Sequence, residues 1–405
     1  MEKALRILFI LSVVAVGSVI LTGGGFAAGY LVQQSDLASP LSATSTQQAS
    51  SPTQEQTTFA PFWEAWDLVH KQYVDQPVDD LKLMQGAIRG MVAALGDAHS
   101  NYMTPEEYQI AATDLTGELE GIGAQVEGAG DYLRIISPFP GSPAEKAGLQ
   151  PRDLIVKVDG QDVGGLGEAK IISLVRGPAG SKVHLSIQRE GTAGLLEFDV
   201  IRAKITLPSV ESKMLDGNVA YVKLNDFGSK TPDELNSALK TLLAQKPVGL
   251  VLDLRGNPGG YVDTAISVAS QFIPSGVIMR ARYNDGSEQT HQANAGGLAA
   301  NIPLVVLVNK GSASASEIVS GAIQDYGRGK IVGEVTYGKG SEQQLTPLKG
   351  NSGVVRITVA HWFTPKGRSI EKVGITPDVA VTLTADDTAA NRDPQLDAAV
   401  KLLLK

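Results

Sequence analysis

The spacing of hydrophobic and polar residues changes several times along the chain, and each change predicts a different kind of structure. An uninterrupted apolar run near the N-terminus gives way to residues 33–58, which are rich in Ser, Thr, Gln and Pro. Such a stretch buries too little apolar surface to repay ordering, so we predict a flexible linker there. From Phe59 to residue 116 apolar side chains recur at helical spacing, for example at Phe62, Trp66 and Val69. This pattern predicts a small helical module over residues 59–116.

In residues 117–203 the pattern of apolar and polar residues has a shorter period. Three runs of apolar residues, 132–136, 154–158 and 183–187, are separated by turns rich in Gly and Asp. A short helix ending at Gly148 is predicted between the first two runs. Short strands joined by Gly and Asp turns are typical of a small, mostly-β domain.

In residues 204–380 strand patterns alternate with helix patterns. Strand-like runs occupy residues 219–224, 248–254, 304–308 and 330–333, and helix-like segments separate them. Buried strands alternating with helices predict a sheet covered on both faces. Residues 381–405 then contain a final amphipathic helix over 394–404. The predicted fold class is therefore multidomain α/β, with a helical N-terminal module, a small β domain, and an α/β core whose mixed sheet is flanked by helices.

The N-terminal 32 residues predict a membrane segment. Lys3 and Arg6 precede the uncharged run 7–21, and apolar residues resume over 26–32. The positive flank predicts a cytoplasmic N-terminus with the rest of the chain outside the cytoplasm. Because no clean A-x-A site follows the run, we favour an uncleaved signal anchor over a cleaved signal peptide, and both remain open.

Composition excludes several classes of function. The chain has 405 residues, of which 43% are hydrophobic and 19% charged, which is ordinary for a globular protein of two or three domains. Its net charge of −8 and its lack of a Lys/Arg block argue against nucleic-acid binding. The absence of cysteine excludes disulfides and thiolate zinc sites.

The strongest candidate for chemistry is the block of small residues 309–317, where a buried strand ends and a helix begins. Close backbone approach and free amides at a helix start suit the stabilisation of an oxyanion. Ser314 with Glu317 also matches a capping box, a structural role that is much commoner than catalysis. A cap requires only one serine, however, and this block has three, separated by alanines.

A nucleophilic serine needs a base, and the five histidines are poorly placed for that role. His291 and His361 lie in the core domain, but neither has an acid nearby in a recognisable arrangement. Lys339 is flanked by glycines, and burial would lower the pKa of its amine towards that of a useful base. The same segment resembles a Walker A loop, but Gly340 replaces the magnesium-binding Ser or Thr, and no helix follows.

These segments together resemble the C-terminal processing peptidase family, the bacterial and chloroplast tail-specific proteases. The similarity runs from Phe59 to Asp378. Its motifs are the turn 253–260, the serine block 312–317, Gln324–Arg328, the Tyr337-Gly338-Lys339-Gly340-Ser341-x-Gln343 motif, Thr364–Ile370 and Gly374–Asp378.

The resemblance implies roles for individual residues in the core domain. It implies that Ser314 is the nucleophile, Lys339 the base, and Gln343 the residue that positions the lysine. It also implies that the amides of Gly259, Gly260 and Ala315 form the oxyanion hole. Acyl transfer of this kind needs neither a metal nor an organic cofactor.

The resemblance also labels residues 117–203 as a PDZ domain that captures the C-terminal tails of protein substrates. It places the terminal carboxylate at Gly121, Ile122 and Gly123, and it implies that Arg176 senses substrate. The helical region before the PDZ domain resembles the dimerisation region of the family. The implied activity is that of a serine endopeptidase acting on exported proteins.

Two other classes of function remain open at this point. The chain could be a catalytically silent scaffold whose PDZ domain only binds tails, although a decayed site should have lost a member of the Ser314, Lys339 and Gln343 set. It could instead be a hydrolase that depends on His291 or His361.

Overall fold

The computed structural model describes residues 52–116 and 118–405, so the predicted membrane segment and most of the predicted linker lie outside the described residues. The chain forms two compact units that divide between Val78 and Asp79. In the described part of the first unit, helix α1 spans Pro52–Gln72. The helix predicted from Phe59 is thus confirmed, and it begins earlier because Gln and Glu at 54–56 favour helix. No helix of the described residues is long and apolar enough to cross a bilayer.

The second unit opens with two helices and a short strand. Their bounds are α2 (Asp80–Ala93), β1 (Asn101–Met103) and α3 (Pro105–Thr116). Thr104 N–H donates to Glu107 Oε2 at 2.8 Å, and Glu107 N–H donates to Thr104 Oγ1 at 3.2 Å. This capping box, together with Pro105 at the first helical position, explains why α3 begins here.

A small domain of antiparallel strands follows. Its elements are β2 (Glu118–Gly121), β3 (Ala124–Ala129), β4 (Tyr132–Pro138), α4 (Pro143–Ala147), β5 (Leu154–Val158), β6 (Gln161–Asp162), α5 (Glu168–Val175), β7 (Lys182–Gln188), β8 (Leu196–Ile201) and β9 (Ala203–Thr206). Strands β3, β4, β5, β7 and β8 lie side by side in that order, β6 pairs with β5, and β2 pairs with β9. The buried side chains of Ile135, Ile155 and Leu185 pack with Ile171 of α5. The predicted mostly-β domain is therefore confirmed.

The largest domain contains the remaining elements. They are β10 (Val210–Leu215), β11 (Val219–Leu224), α6 (Thr231–Leu243), β12 (Gly249–Asp253), α7 (Val262–Ser270), β13 (Val277–Tyr283), β14 (Glu288–Gln292), β15 (Leu304–Val308), α8 (Ala315–Asp325), β16 (Lys330–Gly333), β17 (Ser341–Pro347), a 3-10 turn (Lys349–Asn351), β18 (Val354–Phe363), β19 (Val379–Ala380), α9 (Ala385–Ala389) and α10 (Pro394–Leu403).

The central sheet of this domain has six strands in the order β10-β11-β12-β15-β16-β19. Strand β10 is antiparallel to β11, and the other neighbouring strands are parallel, so the sheet is mixed. Every residue of β12 and β15 is buried. Leu250 and Leu252 belong to the core shared with α6, α7 and α8, whereas Val251 packs with Ala399 of α10. Helices thus cover both faces of the sheet, as the apolar strand patterns predicted.

A second sheet of five strands completes the domain. Its order is β1-β18-β13-β14, and β17 also pairs with β18. Strand β1 comes from the segment before the small domain, and Tyr102 of this strand lies opposite Val355. The Tyr102 hydroxyl donates to the carbonyl of Ser352 at 2.6 Å. The part of the chain from α2 to β1 is therefore built into the large domain.

Candidate active site

Ser314 lies between the end of β15 and the start of α8, where it is the N-cap residue. Its φ of 53° and ψ of −111° place a residue with a side chain in a sparsely populated backbone region. Backbone geometry of this kind persists only where surrounding contacts fix it. The strained serine is thus the first sign that this helix start has a function besides capping.

The two serines that flank Ser314 supply such contacts. Ser312 and Ser316 are fully buried. Ser312 Oγ donates to the carbonyl of Leu254 at 2.7 Å, and Ser316 Oγ donates to the carbonyl of Asn257 at 2.9 Å. The outer serines therefore fasten the block to the turn that follows β12, which explains why three serines occur where a cap needs one.

That turn contains the predicted oxyanion residues Gly259 and Gly260. Gly259 has a φ of 105°, and a Cβ on it would lie 2.9 Å from Ser314 Cβ and 3.0 Å from Ala315 N. Only glycine allows this close approach. The Gly259 amide itself donates to Asn257 Oδ1 at 2.9 Å. That amide therefore already has a partner. The stronger candidates for oxyanion donors are the amides of Gly260, which lines the cleft beside Ser314, and of Ala315.

Lys339 lines the same cleft as Ser314, which has a volume of about 520 Å³. Burial lowers the pKa of the Lys339 amine, and the nearby guanidinium of Arg356 lowers it further. Carboxylates of Asp97, Glu317 and Glu371 act in the opposite direction. Lys339 Nζ has no hydrogen bond or ion pair with any of the described residues. The lysine predicted as the base is thus half-buried, lines the same cleft as the serine, and forms no salt bridge within the described residues.

The backbone of the lysine loop is anchored by Glu317, which sequence reasoning assigned only to helix capping. Glu317 is 0% exposed. Its Oε2 accepts from Ser314 N–H at 2.8 Å and from Lys339 N–H at 2.9 Å. Its Oε1 accepts from Thr336 Oγ1 at 2.5 Å and from Gly338 N–H at 2.7 Å. One carboxylate therefore holds both the serine and the lysine loops, and burial raises its pKa while these bonds oppose the rise.

Gln343 lies on β17 and also lines the cleft. Its Nε2 donates to Ser341 Oγ at 2.9 Å and to Thr358 Oγ1 at 3.2 Å. Trp362, which is 2% exposed, donates from Nε1 to the carbonyl of Lys339 at 3.1 Å. Sequence reasoning did not single out Trp362 or Thr358, because both lie on a sheet that it did not predict.

The two histidines considered as alternative bases are separated. His291 lines the cleft with Ser314, whereas His361 lines a different cavity with Arg282 and Glu371. Only His291 is therefore close enough to be a rival to Lys339.

The predicted tail-binding residues also meet. Gly121, Ile122, Gly123 and Arg176 line one cleft of the small domain, together with apolar side chains such as Ile172. Gly123 has a φ of 75°, and a Cβ there would lie 2.6 Å from the side chain of Ser142. This loop therefore requires glycine, and the cleft beside it has a mainly apolar lining.

An α/β core that brings a strained helix-cap serine and a half-buried lysine to one cleft, joined to a small β domain with an apolar cleft, is the architecture of a serine peptidase with a lysine base. Three family models match the chain. Residues 218–381 match peptidase family S41, residues 134–189 match a PDZ domain, and residues 19–107 match the N-terminal domain of the activating protease CtpB.

Curated relatives agree with these matches. A carboxy-terminal-processing protease of Bartonella bacilliformis is 39% identical over 342 residues, covering 82% of this chain and 78% of the relative. The carboxy-terminal processing protease CtpB of Bacillus subtilis is 35% identical over 382 residues, covering 92% and 77%. Among solved structures, the photosystem II D1 C-terminal processing protease matches with a TM-score of 0.50 and 30% identity, covering 87% of this chain and 93% of that chain. The chain belongs to peptidase family S41 and is a C-terminal processing serine protease with a PDZ domain.

Proposed function

We propose that Ser314 is the nucleophile of this protease and Lys339 its general base. The observation that carries the proposal is the shared cleft, in which the half-buried lysine has no ion-pair partner among the residues that the structure describes. A general base must be unprotonated near the working pH, and burial of an amine favours its neutral form.

The reaction is acyl transfer in two halves. Neutral Lys339 takes the hydroxyl proton as Ser314 Oγ bonds to the scissile carbonyl carbon, and the carbonyl electrons move onto oxygen. Amides of Gly260 and Ala315 stabilise this oxyanion. As the C–N bond breaks, the Lys339 ammonium returns the proton to the leaving amine. Water then attacks the acyl-enzyme with Lys339 again accepting a proton, which releases the new carboxylate and restores Ser314.

The test is cleavage of an unfolded protein substrate by Ser314→Ala and Lys339→Ala. Each variant should lose roughly 10⁴-fold or more of kcat, because the members of such a unit act together. Lys401→Ala, which removes an exposed lysine from α10, is the matched control and should cleave like the parent. Cleavage retained in either active-site variant would refute the dyad.

We also propose that the PDZ domain binds substrate C-termini, with the terminal carboxylate at the loop Gly121–Gly123 and Arg176 beside it. Supporting this, the Cγ of Arg176 lies 3.6 Å from the position of a Cβ on Gly121, so the arginine stem packs against the loop. Peptides with a free terminal carboxylate should bind the Ser314→Ala protein at least about tenfold more tightly than the same peptides with an amide end. Equal affinity by fluorescence polarisation would contradict this role.

We propose further that the protease acts on exported proteins outside the cytoplasm and is anchored by residues 1–32. The support is the uncharged run 7–21 after Lys3 and Arg6. Fractionation should recover the protein with the membrane, and external protease should digest it in cells whose outer barrier is opened. N-terminal sequencing distinguishes an anchor from a cleaved signal peptide.

A homodimer through the N-terminal helices is the remaining part of the proposal. Helix α1 exposes Phe59, Phe62 and Trp63 by 49%, 37% and 60%. Exposed apolar stripes of this kind favour association. Light scattering of the full chain should give twice the monomer mass, and Trp63→Asp should shift the protein towards monomer. A monomer at all concentrations would refute it.

A further inference from the structure

The loop between α2 and β1 reaches the active site from the segment before the PDZ domain. Strand β1 pairs with β18, and this pairing brings Asp97 next to Thr358, although 261 residues separate the two in sequence. Thr358 in turn lies opposite Gln343 in the pairing of β17 with β18. A chain of side chains therefore connects Asp97, Thr358 and Gln343, which lines the cleft with Lys339.

The direction of each hydrogen bond in this chain follows from the ionisation of Asp97. Burial raises the pKa of Asp97, but hydrogen bonds from Ser100, Thr358 and the backbone of His99 outweigh it and lower the pKa to about 2. The ionised carboxylate can only accept. Thr358 Oγ1 therefore donates its single proton to Asp97 Oδ2, at 2.6 Å. Having donated that proton, the hydroxyl can only accept from Gln343 Nε2, at 3.2 Å.

This order fixes the Gln343 side-chain amide in one orientation. Its NH2 group is used by Thr358 Oγ1 and by Ser341 Oγ. The carbonyl oxygen Oε1 is then the end of the amide left for a donor in the cleft. The side-chain amine of Lys339 is such a donor. If the Gln343 amide were turned the other way, its NH2 group would face the N–H of the lysine.

We propose that Asp97 is a positioning residue of this protease, which acts through Thr358 to orient Gln343 so that its carbonyl oxygen faces the catalytic lysine. The inference rests on the proposed role of Lys339 as the base. It assigns a function in the active site to the segment that precedes the PDZ domain.

The charge of Asp97 acts on Lys339 as well, in opposition to Arg356. Arg356 on β18 is bonded to the loop that contains Asp97, because its Nε donates to the carbonyl of His99 at 3.0 Å. Asp97 raises the pKa of Lys339 and Arg356 lowers it. The other titratable groups facing the lysine or lining its cleft are Glu317, Glu371, Tyr261, Asp263, His291 and Glu342.

Asp97→Asn is the sharpest test. The substituted amide side chain must still present its oxygen to the amide of His99, which donates to Asp97 Oδ1 at 3.0 Å in the parent. Its NH2 group then replaces Oδ2 and donates to Thr358, so the hydroxyl proton turns to Gln343 and the Gln343 amide flips. We expect kcat to fall between about 10- and 100-fold with KM little changed. The acid limb of the pH profile of kcat/KM should also move to lower pH.

Three further variants separate orientation from charge. Thr358→Val breaks the hydrogen-bonded chain of side chains but keeps the carboxylate of Asp97. The value of kcat should therefore fall, while the acid limb of the pH profile should not move. Thr358→Ser keeps the hydroxyl and should cleave like the parent. Arg356→Gln should move the limb to higher pH, opposite to Asp97→Asn. Asp216→Asn, at an exposed turn, is the matched control and should leave rate and profile unchanged.

If Asp97→Asn fails to fold, as judged by circular dichroism, the Thr358 pair decides the question. Parent-like kcat in both Asp97→Asn and Thr358→Val would overturn the inference, as would equal kcat in Thr358→Ser and Thr358→Val. A dead Lys339→Ala beside parent-like Asp97→Asn and Thr358→Val refutes this inference alone, whereas an active Lys339→Ala refutes the dyad.

Discussion

Replacing Glu317 by Gln should damage the protease far more than loss of a helix cap would. Gln is accepted at the third position of a capping box as readily as Glu. A residue whose only task was capping α8 would therefore tolerate the change. Glu317, however, accepts four hydrogen bonds, two on each oxygen, from Ser314, Thr336, Gly338 and Lys339.

The size of the effect follows from those contacts. Gln has one oxygen and one NH2 group, so in either orientation at least one backbone N–H in the site faces another donor. The other bonds lose the charge that strengthens them. Hydrogen bonds to charged groups contribute about 1.5–3 kcal/mol each, so we expect the free energy of unfolding to fall by about 3–6 kcal/mol. That is a large share of the ~5–15 kcal/mol by which a typical protein is stable.

Urea unfolding in the Ser314→Ala background measures this loss without interference from self-cleavage. Glu168→Gln is the matched control, because it removes an exposed acid from the first turn of α5. It should leave the midpoint unchanged. In the active background, Glu317→Gln should also lower kcat, because the serine and lysine loops lose their common anchor. A free energy of unfolding within about 1 kcal/mol of the parent, with normal kcat, would refute the two-loop anchor and leave Glu317 a simple cap.

Three further predictions concern the cleft itself. Gly259→Ala should lower kcat by about 100-fold or more, because its Cβ would lie 2.9 Å from Ser314 Cβ at a φ of 105°; parent-like turnover would contradict the close approach. The pH profile of kcat/KM should rise through an acid limb that lies below the ordinary lysine pKa of about 10.4, because burial lowers the pKa of Lys339 and the neutral amine is the active form; a plateau extending well into acid would argue against a lysine base. His291→Ala should cost less than about tenfold in kcat, whereas a loss of about 10³-fold or more would revive the histidine-dependent alternative.

The buried elements of the core were predictable because their patterns are local. Strands 219–224, 304–308 and 330–333 match the apolar runs of the sequence to the residue. A strand buried on both faces is a continuous apolar run, and few other structures have that pattern. Three strands of the small domain, β4, β5 and β7, were found for a similar reason, since each is bounded by Gly or Asp turns.

The second sheet escaped prediction because its strands carry no such pattern. Strand β17 (Ser341–Pro347) is mostly polar, and its sequence fits a strand and a loop equally well. Strand β1 has only three residues and pairs with a partner far away in sequence. Separation in sequence also explains why the roles of two site residues, Glu317 and Asp97, were not predicted. Glu317 was predicted as a cap, and its contacts with the lysine loop depend on tertiary folding. Asp97 gave no signal because its partner Thr358 lies on the unpredicted sheet.

The carboxylates around Lys339 present a problem that the structure resolves by hydrogen bonding. A free carboxylate beside a lysine favours the ammonium and raises its pKa, which would disable it as a base. Glu317 is engaged by four donors, Asp97 by His99 N–H and two hydroxyls, and Glu371 Oε2 by the amide of Gly340 at 2.8 Å. At least one oxygen of each carboxylate is thus occupied by a donor from a loop or strand. The acids that fix the geometry of the site are in this way kept from forming an ion pair with Lys339, and burial remains the dominant influence on its pKa.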